Sequence, residues 1–388
     1  MRANRTVFGS MIVLAVAMIA SLWSPSARAD APAFQVDPFW PKPLPHNWVT
    51  GEVGGTCIDS QDHVFIVTRG FQTGGLVSPE GVGGKPEKST ASPPAIEFDP
   101  EGNVVNSWGD PSIVPTGAPN AGKNAVLPNG IHGCFVDYQD NVWIAGNGDG
   151  VVQKYSHDGS TLLLQIGTKF LCDNGTATGG SCGNIGLTGN SKTLLNDPAD
   201  IAVDPTNGDV YIADGYGNHR VVVFDKSGTY LRQMGSVGTG LGQFTAGDGG
   251  HPHCVVIGKD GLVYACDRGQ DRINVYKKDG TPVTEIPVIP GTAALGTAGS
   301  AWDVDFSPGR HQTFMYESDG GNEVVWIFNH AAALAGLPNA ILSGFGRPGH
   351  GAGEFTFLHM MAVDSQGNLY AGETIGGRRI QKFRLKDD

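Results

Sequence analysis

Short apolar runs separated by glycine- and asparagine-rich turns recur along most of the chain. In the clearest stretch, residues 198–224 read as a strand, a turn, a second strand, a loop and a third strand, and a fourth strand follows at 229–235. Val, Ile, Tyr and Phe dominate the runs, and Asp-Gly and Asn-Gly dipeptides interrupt them, which is typical of β-hairpins. Helical periodicity is limited to residues 331–337. The pattern predicts an all-β chain.

The same unit occurs six times, and a polar residue or glycine ends the first strand of each copy, at Asp59, Asp137, Asp204, Gly258, Asp305 and Asp364. Four-stranded units repeated around an axis form the blades of a β-propeller. We expect blades at about 50–109, 127–167, 195–235, 249–288, 299–346 and 355–386. A β-helix is the main alternative, but these units are too long and too rich in hairpin turns.

The last unit ends after its third strand, near Ile380. The segment from Phe34 to Phe39 is the candidate for the missing outer strand. This N-terminal strand would close the ring and place both ends of the propeller in one blade. The prediction is therefore a six-bladed β-propeller that extends over residues 30–388 as one domain.

Residues 1–29 resemble a secretory signal peptide. Arg2 and Arg5 precede an apolar run at 11–23, and Ala27-Arg-Ala29 fits a cleavage site. The run is short for a membrane span. We therefore expect a secreted or periplasmic protein without a membrane anchor. The formal charge of −12 argues against a nucleic-acid partner, which requires a basic surface.

Export would permit disulfides among the six cysteines. Cys172 and Cys182 flank a polar, glycine-rich loop, and we expect them to be bonded to each other. Their spacing matches no usual pair of zinc ligands. The other four lie in predicted strands, where a free cysteine is usually a small buried apolar residue; they are Cys57, Cys134, Cys254 and Cys266.

Three histidines occupy one position of the repeat, five residues before the position that ends the first strand. They are His132, His253 and His359, in blades 2, 4 and 6. The innermost strand of each blade lines the central channel, and alternate blades stand about 120° apart, so the imidazoles would converge on the axis. The corresponding residues of blades 1, 3 and 5 are small and leave room for them: Gly54, Ala199 and Ser300.

Three imidazoles with an open fourth position are typical of a catalytic zinc ion. Copper, iron or manganese would accept the same ligands. The alternative is that these histidines are buried without a metal. His251 would face the same way as His253 in a strand and is the main competing ligand, whereas His219 is interpreted as a loop or surface residue.

Two arginines and a tyrosine are predicted beside the histidines. Arg69 and Arg268 both follow the second strand of their blades, which face each other across the ring, and a guanidinium pair suits a carboxylate-bearing substrate. Tyr216 follows the second strand of blade 3 at the same level, where it could act as a general base. The alternatives are an ordinary ion pair, as with Asp267, and a tyrosine that only packs.

Several of these motifs together resemble the peptidyl-α-hydroxyglycine α-amidating lyases (peptidylamidoglycolate lyases), which are six-bladed propellers of NHL-type repeats. The motifs are Asp-Gly-Tyr216-Gly-Asn-His-Arg-Val, the segment from Pro-His253 to Cys-Asp-Arg268-Gly-Gln-Asp-Arg-Ile, and Arg69-Gly at the end of a first-blade strand. The similarity extends from blade 1 to the C-terminus. The resemblance implies His132, His253 and His359 as zinc ligands, Tyr216 as the base with Arg69 as its partner, and Arg268 near the substrate.

The family reaction cleaves the N–Cα bond of a carbinolamide and releases an amide and glyoxylate. The implied substrate is a peptide or small molecule that bears a carboxylate, and a separate monooxygenase is the implied partner. Met360 stands where the family would have an aspartate associated with structural calcium, which argues against calcium here.

Two other functions are compatible with the same pattern. One is a metal-dependent hydrolase of lactones or esters, although lactonase propellers hold calcium with carboxylate and amide ligands rather than imidazoles. The other is a non-catalytic NHL propeller that binds a protein or a glycan.

Overall fold

Each of the six predicted units folds as a four-stranded antiparallel sheet in the computed structural model, which describes residues 30–69, 90–109, 127–172, 175–176, 190–246, 249–291 and 298–386. The described residues from Ala31 onwards form one compact unit. Residues 1–29 lie outside the described residues, so the signal peptide stays a prediction.

The strands are grouped by blade, with four short strands outside the blades. In chain order they are β1 (Phe34–Asp37) and β2 (Trp48–Val49); β3 (Val53–Ile58), β4 (Val64–Thr68), β5 (Thr90–Ala91), β6 (Ala95–Phe98) and β7 (Val104–Trp108); β8 (Ile131–Val136), β9 (Val142–Gly146), β10 (Val151–Tyr155), β11 (Leu162–Gly167), β12 (Leu171–Cys172) and β13 (Gly175–Thr176); β14 (Asp200–Val203), β15 (Val210–Asp214), β16 (Arg220–Phe224) and β17 (Tyr230–Met234); β18 (Val255–Ile257), β19 (Leu262–Asp267), β20 (Arg272–Lys277) and β21 (Pro282–Pro287); β22 (Ala301–Phe306), β23 (Phe314–Asp319), β24 (Val324–Asn329) and β25 (Ile341–Phe345); and β26 (Leu358–Val363), β27 (Leu369–Glu373) and β28 (Arg379–Leu385).

The helical content of the described chain is small. One α-helix, α1 (His330–Leu334), connects β24 to β25, and short 3₁₀ turns cover Pro45–Asn47 and Arg268–Gln270. The predicted fold class, an all-β six-bladed propeller, is confirmed.

The N-terminal strand closes the ring as predicted. β1 is the outer strand of blade 6 and pairs antiparallel with β28, with Phe34 opposite Leu385. The backbone N–H of Lys386 continues this ladder by donating to the carbonyl of Ala33 at 2.9 Å. Both ends of the propeller therefore lie in one blade, which joins the first part of the ring to the last.

The core lies between neighbouring blades and repeats around the ring. The second strand of each blade places one aromatic side chain in this layer, and all six are almost completely buried: Phe65, Trp143, Tyr211, Tyr264, Tyr316 and Tyr370. Large rings at a repeated position fill the widening space between radial sheets, and their burial contributes strongly to stability. The rigid sheets then fix the positions of the inner strands.

The register of blade 5 differs from the predicted one. In blades 1 and 2 the core aromatic pairs with the residue two positions before Asp59 or Asp137, the aspartate that follows the inner strand. Phe65 pairs with Cys57, and Trp143 pairs with Phe135. In blade 5, Tyr316 pairs with Asp305. The position that ends the strand is therefore Ser307, and the residue that faces the axis is Trp302 rather than Ser300. The sequence pattern placed the strand end at Asp305 because this residue resembles the aspartates that follow the inner strands of other blades.

The expectation that the four strand cysteines are free was wrong. Cys57 is bonded to Cys134 with a Cα–Cα distance of 5.8 Å, and Cys254 is bonded to Cys266 at 5.0 Å. Cys57 and Cys134 lie on the inner strands of neighbouring blades, which pack side by side although 77 residues separate the two cysteines. Disulfides are typical of proteins from oxidising compartments.

Cys182 lies outside the described residues, so its bond to Cys172 stays a prediction, to be tested by mass mapping of the unreduced protein. None of the helices in the described part of the chain has the length and apolar character that a membrane crossing requires.

Candidate functional site

Irregular pairing in the inner strands positions two of the three histidines. In blade 2, Ile131 pairs with Gly146 but Cys134 pairs with Ile144, so that His132 and the next residue oppose a single residue. Blade 6 has the same bulge at His359. Bulges bend a strand and redirect side chains, which here turns the imidazoles towards the axis. His253 lies two residues before Val255, the first residue of the inner strand of blade 4.

The three imidazoles form a nearly equilateral triangle on the propeller axis. The ring centroid of His132 lies 4.9 Å from that of His253 and 4.8 Å from that of His359, and the third side of the triangle is 4.8 Å. Their candidate ligand nitrogens all lie within 4.8 Å of one another, and all three residues are buried. The structure thus brings together the three histidines that share one position of the repeat.

Backbone carbonyls of the intervening blades fix the ring orientations. Nδ1 of His132 donates to the carbonyl of Ala199 at 2.8 Å, and Nδ1 of His253 donates to that of Trp302 at 2.7 Å. The Gly54 carbonyl is the backbone acceptor that raises the pKa of His359, but Nδ1 of that ring has no hydrogen-bond partner among the described residues. A proton on Nδ1 leaves a lone pair on Nε2, which is the tautomer that metal-binding histidines use.

The orphaned nitrogen of His253 also fits a metal ligand. His253 is fully buried, and its Nε2 finds no hydrogen-bond partner among the described residues. A buried polar atom without a partner costs free energy unless a ligand or water satisfies it. Three neutral imidazoles whose candidate ligand nitrogens lie within 4.8 Å of one another are a suitable donor set for zinc and related ions.

The local electrostatics keep the three imidazoles neutral. Desolvation by burial is the main cause that lowers the pKa of His132, His253 and His359 well below the ordinary value. The positive charge of Arg268 lowers all three pKa values further, and the charge of Arg69 also lowers the pKa values of His132 and His359. Neutral imidazole is the form that coordinates a metal.

Tyr216 lies beside this triangle, as its position in the repeat predicted. Its Oη is 3.2 Å from Nε2 of His132 and 3.3 Å from a terminal nitrogen of Arg268. The backbone at Gly250 lies close to the tyrosine ring, and only glycine leaves room for it. A Cβ at this position, where φ is +70°, would lie 2.9 Å from the Tyr216 ring and 3.0 Å from His253. The phenol is therefore held between an imidazole and a cation.

Arg268 is the better placed of the two arginines to act on Tyr216. It is buried, donates to the carbonyl of Gly249, and lies with its guanidinium carbon 4.3 Å from the ring centroid of Trp302. Such stacking fixes the plane of the guanidinium. One of its terminal nitrogens also donates to the phenol oxygen of Tyr216, so Arg268 can stabilise negative charge there.

Arg69 lies in the same pocket but has different partners. Its Nε donates to the carbonyl of Ile131 at 2.6 Å, and its terminal nitrogen forms an ion pair with Glu52 at 3.0 Å. The described structure records no hydrogen bond from Arg69 to Tyr216. The resemblance implied that Arg69 is the partner of the tyrosine, whereas the geometry gives that contact to Arg268.

A pocket of about 290 Å³ lies over the triangle. Its walls combine two guanidinium groups with aromatic and aliphatic side chains, and they are formed by Arg69, His132, Tyr216, Arg268, Ala298, Trp302, Phe357, His359, Thr374 and Ile375. The positive charge favours an anionic ligand. Trp302 was missed in the sequence, and counting back five residues from Ser307 would have found it.

The two other histidines near this site do not join the triangle. The ring of His251 stacks on that of His219 at a centroid distance of 6.4 Å, and its Nδ1 accepts from the backbone N–H of Gly269 at 3.1 Å. His219 is buried, so its interpretation as a loop or surface residue was wrong with respect to exposure. It adopts φ of 53° in the turn before β16.

Comparison with known proteins identifies relatives at low identity. The NHL repeat model matches residues 195–224. NHL repeat-containing protein 3 of Homo sapiens is 28% identical over 383 residues, which cover 92% of this chain and 86% of that protein.

Amidating enzymes also match the chain, over part of their length. Peptidyl-glycine alpha-amidating monooxygenase B of Xenopus laevis is 24% identical over 325 residues, which cover 77% of this chain and 32% of that protein. A probable peptidyl-alpha-hydroxyglycine alpha-amidating lyase of Caenorhabditis elegans is 23% identical over 211 residues, or 47% of this chain and 54% of that protein. The chain thus contains an NHL repeat and is homologous to amidating enzymes, as the motifs predicted.

Among solved structures, a streptogramin B lyase superposes with a TM-score of 0.50 at 12% identity, covering 91% of this chain and 98% of that chain. This similarity concerns the propeller fold alone.

Proposed function

We propose that this protein is a metal-dependent carbon–nitrogen lyase that converts an N-acyl-α-hydroxyglycine into an amide and glyoxylate. The observation that carries the proposal is the position of the Tyr216 phenol, within 3.3 Å of both His132 and Arg268 at the edge of three neutral imidazoles. Homology to the amidating enzymes supports the same reaction class.

A zinc ion held by His132, His253 and His359 would supply Lewis-acid chemistry beside Tyr216. Copper, iron and manganese remain compatible with the same three imidazoles. Because Nδ1 of two of these rings is bonded to backbone carbonyls, their Nε2 atoms are oriented before any ligand binds. Such orientation lowers the cost of assembling the site.

Tyr216 acts as the general base in this proposal. Its ionised oxygen takes the proton of the substrate hydroxyl, the C–O bond becomes the aldehyde of glyoxylate, and the N–Cα bond breaks. The electron pair of that bond stays on nitrogen, which takes the proton from Tyr216 to give the amide and to restore the base. Arg268 stabilises the ionised phenol because its guanidinium lies next to the oxygen.

The carboxylate of the substrate binds to the guanidinium side of the pocket. Arg69 is held in place by Glu52 and the Ile131 carbonyl, so its orientation is fixed before the substrate arrives. Charge-assisted hydrogen bonds from arginine to a carboxylate are among the stronger polar contacts in proteins. A fixed carboxylate places the adjacent Cα and its hydroxyl near Tyr216.

The test is to incubate the zinc-loaded protein with N-benzoyl-α-hydroxyglycine and to quantify both products. The proposal predicts equal amounts of benzamide and glyoxylate, well above the rate without protein. His251→Ala is the matched control, since it removes a nearby buried histidine outside the triangle and should leave turnover intact. Hydrolysis of a lactone or ester without glyoxylate release would favour the hydrolase, and no turnover at full metal loading would favour a non-catalytic propeller.

A further inference from the structure

A second group of metal-ligating side chains lies between blades 1 and 2, at the other end of the inner strands from the three histidines. Nδ1 of His63 is 2.7 Å from Oε1 of Glu97 and 3.6 Å from Oδ2 of Asp59. Nε2 of His157 is 2.9 Å from the same Asp59 oxygen and 3.9 Å from the same Glu97 oxygen. We propose that these four side chains form a second divalent-cation site, which holds zinc or a similar ion.

Glu97 has the opposite charge to the lysines found at its position in two other blades, whereas blades 3, 4 and 5 have Val223, Val275 and Ile327 there. Glu97 pairs with the core aromatic Phe65, just as Lys154 pairs with Trp143 in blade 2 and Lys382 with Tyr370 in blade 6. Lys154 forms an ion pair with Asp137 at 2.8 Å. In blade 1 a carboxylate replaces the lysine, so two acidic side chains meet where blade 2 has an ion pair.

His157 also replaces a lysine. The turn Tyr155-Ser-His157-Asp-Gly corresponds to Tyr276-Lys-Lys278-Asp-Gly in blade 4. Lys278 forms an ion pair with Asp204, the strand-end aspartate of the preceding blade, at 2.6 Å. His157 contacts Asp59, the strand-end aspartate of its own preceding blade, in the same way. A metal-ligating side chain therefore occupies a position that holds a cation elsewhere in the ring.

His63 is the third departure at this place. Its position, four residues after the strand-end aspartate, holds an asparagine in two other blades. Asn141 donates to Asp137 at 3.3 Å, and Asn368 donates to Asp364 at 2.8 Å. The boundary between blades 1 and 2 thus differs from other blades at three positions, two in blade 1 and one in blade 2, and each difference introduces an imidazole or a carboxylate.

The spacing and burial of the four groups suit a tetrahedral ion. Zinc bonds of about 2.0–2.2 Å to nitrogen and oxygen imply about 3.3 Å between neighbouring ligand atoms. Asp59, His63 and Glu97 offer ligand atoms that lie within 4.8 Å of one another, and Nε2 of His157 lies 2.9 Å from Asp59 and 3.9 Å from Glu97. The carboxylate side chains are almost fully buried, with 0% of Asp59 and 4% of Glu97 exposed. Two buried carboxylates require compensating charge, which a divalent cation supplies.

The remaining contacts orient the ligands and leave a path for the ion. Oδ1 of Asp59 accepts the backbone N–H groups of Gln61 and His63, each at 2.8 Å, which turns Oδ2 towards the imidazoles. The side chains of His63 and His157 are 23% and 33% exposed. An ion can therefore enter from solvent, and once bound it would join blade 1 to blade 2.

The test compares zinc contents of purified, tag-free full chains after equilibration with a zinc buffer. Wild type should hold one more zinc per chain than Glu97→Gln or His157→Asn. A variant that lacks the three axial imidazoles should still hold that zinc, so failure of the axial site would not affect the result. Lys278→Asn, which changes the corresponding position in blade 4, is the matched control and should keep the wild-type content.

Thermal unfolding gives an independent measurement at the same site. Added zinc should raise the Tm of the axial-imidazole variant, and Glu97→Gln in that background should abolish the increase. Equal zinc content in wild type, Glu97→Gln and His157→Asn would overturn the proposal and would leave the cluster as two histidine–carboxylate ion pairs. Because His157 lies at the surface, its substitution remains informative even where Glu97→Gln prevents folding.

Discussion

Oη of Tyr216 lies 3.2 Å from Nε2 of His132, the ring nitrogen that faces the propeller axis. Nδ1 of the same ring is bonded to the Ala199 carbonyl, so Nε2 carries the lone pair. A metal ion and the tyrosine hydroxyl therefore compete for one lone pair. Metal binding would release the hydroxyl towards the pocket, where Arg268 also contacts it.

Replacing Tyr216 with phenylalanine should lower kcat for glyoxylate release while metal content stays normal. General bases contribute roughly 100- to 10,000-fold to rates, and a loss of that order is expected because phenylalanine keeps the ring but has no proton acceptor. Tyr230→Phe, at a partly buried tyrosine of the same blade, is the matched control. Equal turnover by Tyr216→Phe and wild type at saturating substrate would remove Tyr216 from the chemistry and favour a hydrolase.

The two arginines should differ in their kinetic effects. Arg268→Ala should lower kcat by roughly 10- to 100-fold, since hydrogen bonds to charged groups are worth about 1.5–3 kcal/mol and this one stabilises the ionised phenol. Arg69→Ala should mainly raise KM, because Arg69 has no bond to Tyr216. Steady-state kinetics on N-benzoyl-α-hydroxyglycine measure both. The reverse pattern, with kcat lost only in Arg69→Ala, would assign the tyrosine partner as the resemblance implied.

The two observed disulfides should stabilise the fold unequally. In the chain-entropy treatment, a bridge over 77 residues contributes about 4.5 kcal/mol and one over 12 residues about 3 kcal/mol. The double variant Cys57→Ala/Cys134→Ala should therefore lose more free energy of unfolding than Cys254→Ala/Cys266→Ala. Urea unfolding of metal-free protein measures both losses. A larger loss from the Cys254–Cys266 pair would show that native packing, rather than loop length, determines the effect.

Asp305 should make stability depend on pH. Desolvation raises its pKa to about 7, despite hydrogen bonds from the N–H groups of Phe306 and Val363. The folded state therefore holds this proton at pH values where the unfolded state has lost it, so this group's contribution to stability falls as pH rises from about 4 to about 7. Asp305→Asn has no such proton.

The free energy of unfolding of wild type minus that of Asp305→Asn should therefore become more negative across this pH window and be constant above it. Any lost hydrogen bond in the variant adds an offset that does not depend on pH. Urea unfolding at several pH values between 4 and 8 measures the difference. A constant difference over the whole range would show that Asp305 ionises normally.

Much of the fold and the site could be predicted from the sequence because residues at the same position of each propeller repeat point in the same direction relative to the axis. His132, His253 and His359 share one phase, and the structure places their rings on the axis for that reason. Arg69, Arg268 and Tyr216 each follow the second strand of a blade, and the structure places all three in one pocket. The ring closure by β1 followed from the missing fourth strand of blade 6.

The remaining features depend on which residues of different blades touch. The Cys57–Cys134 bond joins two inner strands that are distant in sequence, and the spacing of cysteines does not reveal such a pair. Trp302 was missed because Asp305 resembles a strand-end aspartate two residues too early. The Asp59–His157 contact joins two blades and could not be predicted from the sequence alone. Its place in the repeat is recognised from the corresponding ion pair of Asp204 and Lys278 between blades 3 and 4.

The most direct test of the axial centre is anomalous diffraction at the zinc absorption edge from crystals of zinc-loaded wild-type protein. The account predicts a peak on the propeller axis within about 2.1 Å of Nε2 of His132, His253 and His359. This location is separate from Asp59 and Glu97, so the two candidate sites are resolved in one map. Fully loaded crystals with no peak between the three imidazoles would contradict the account.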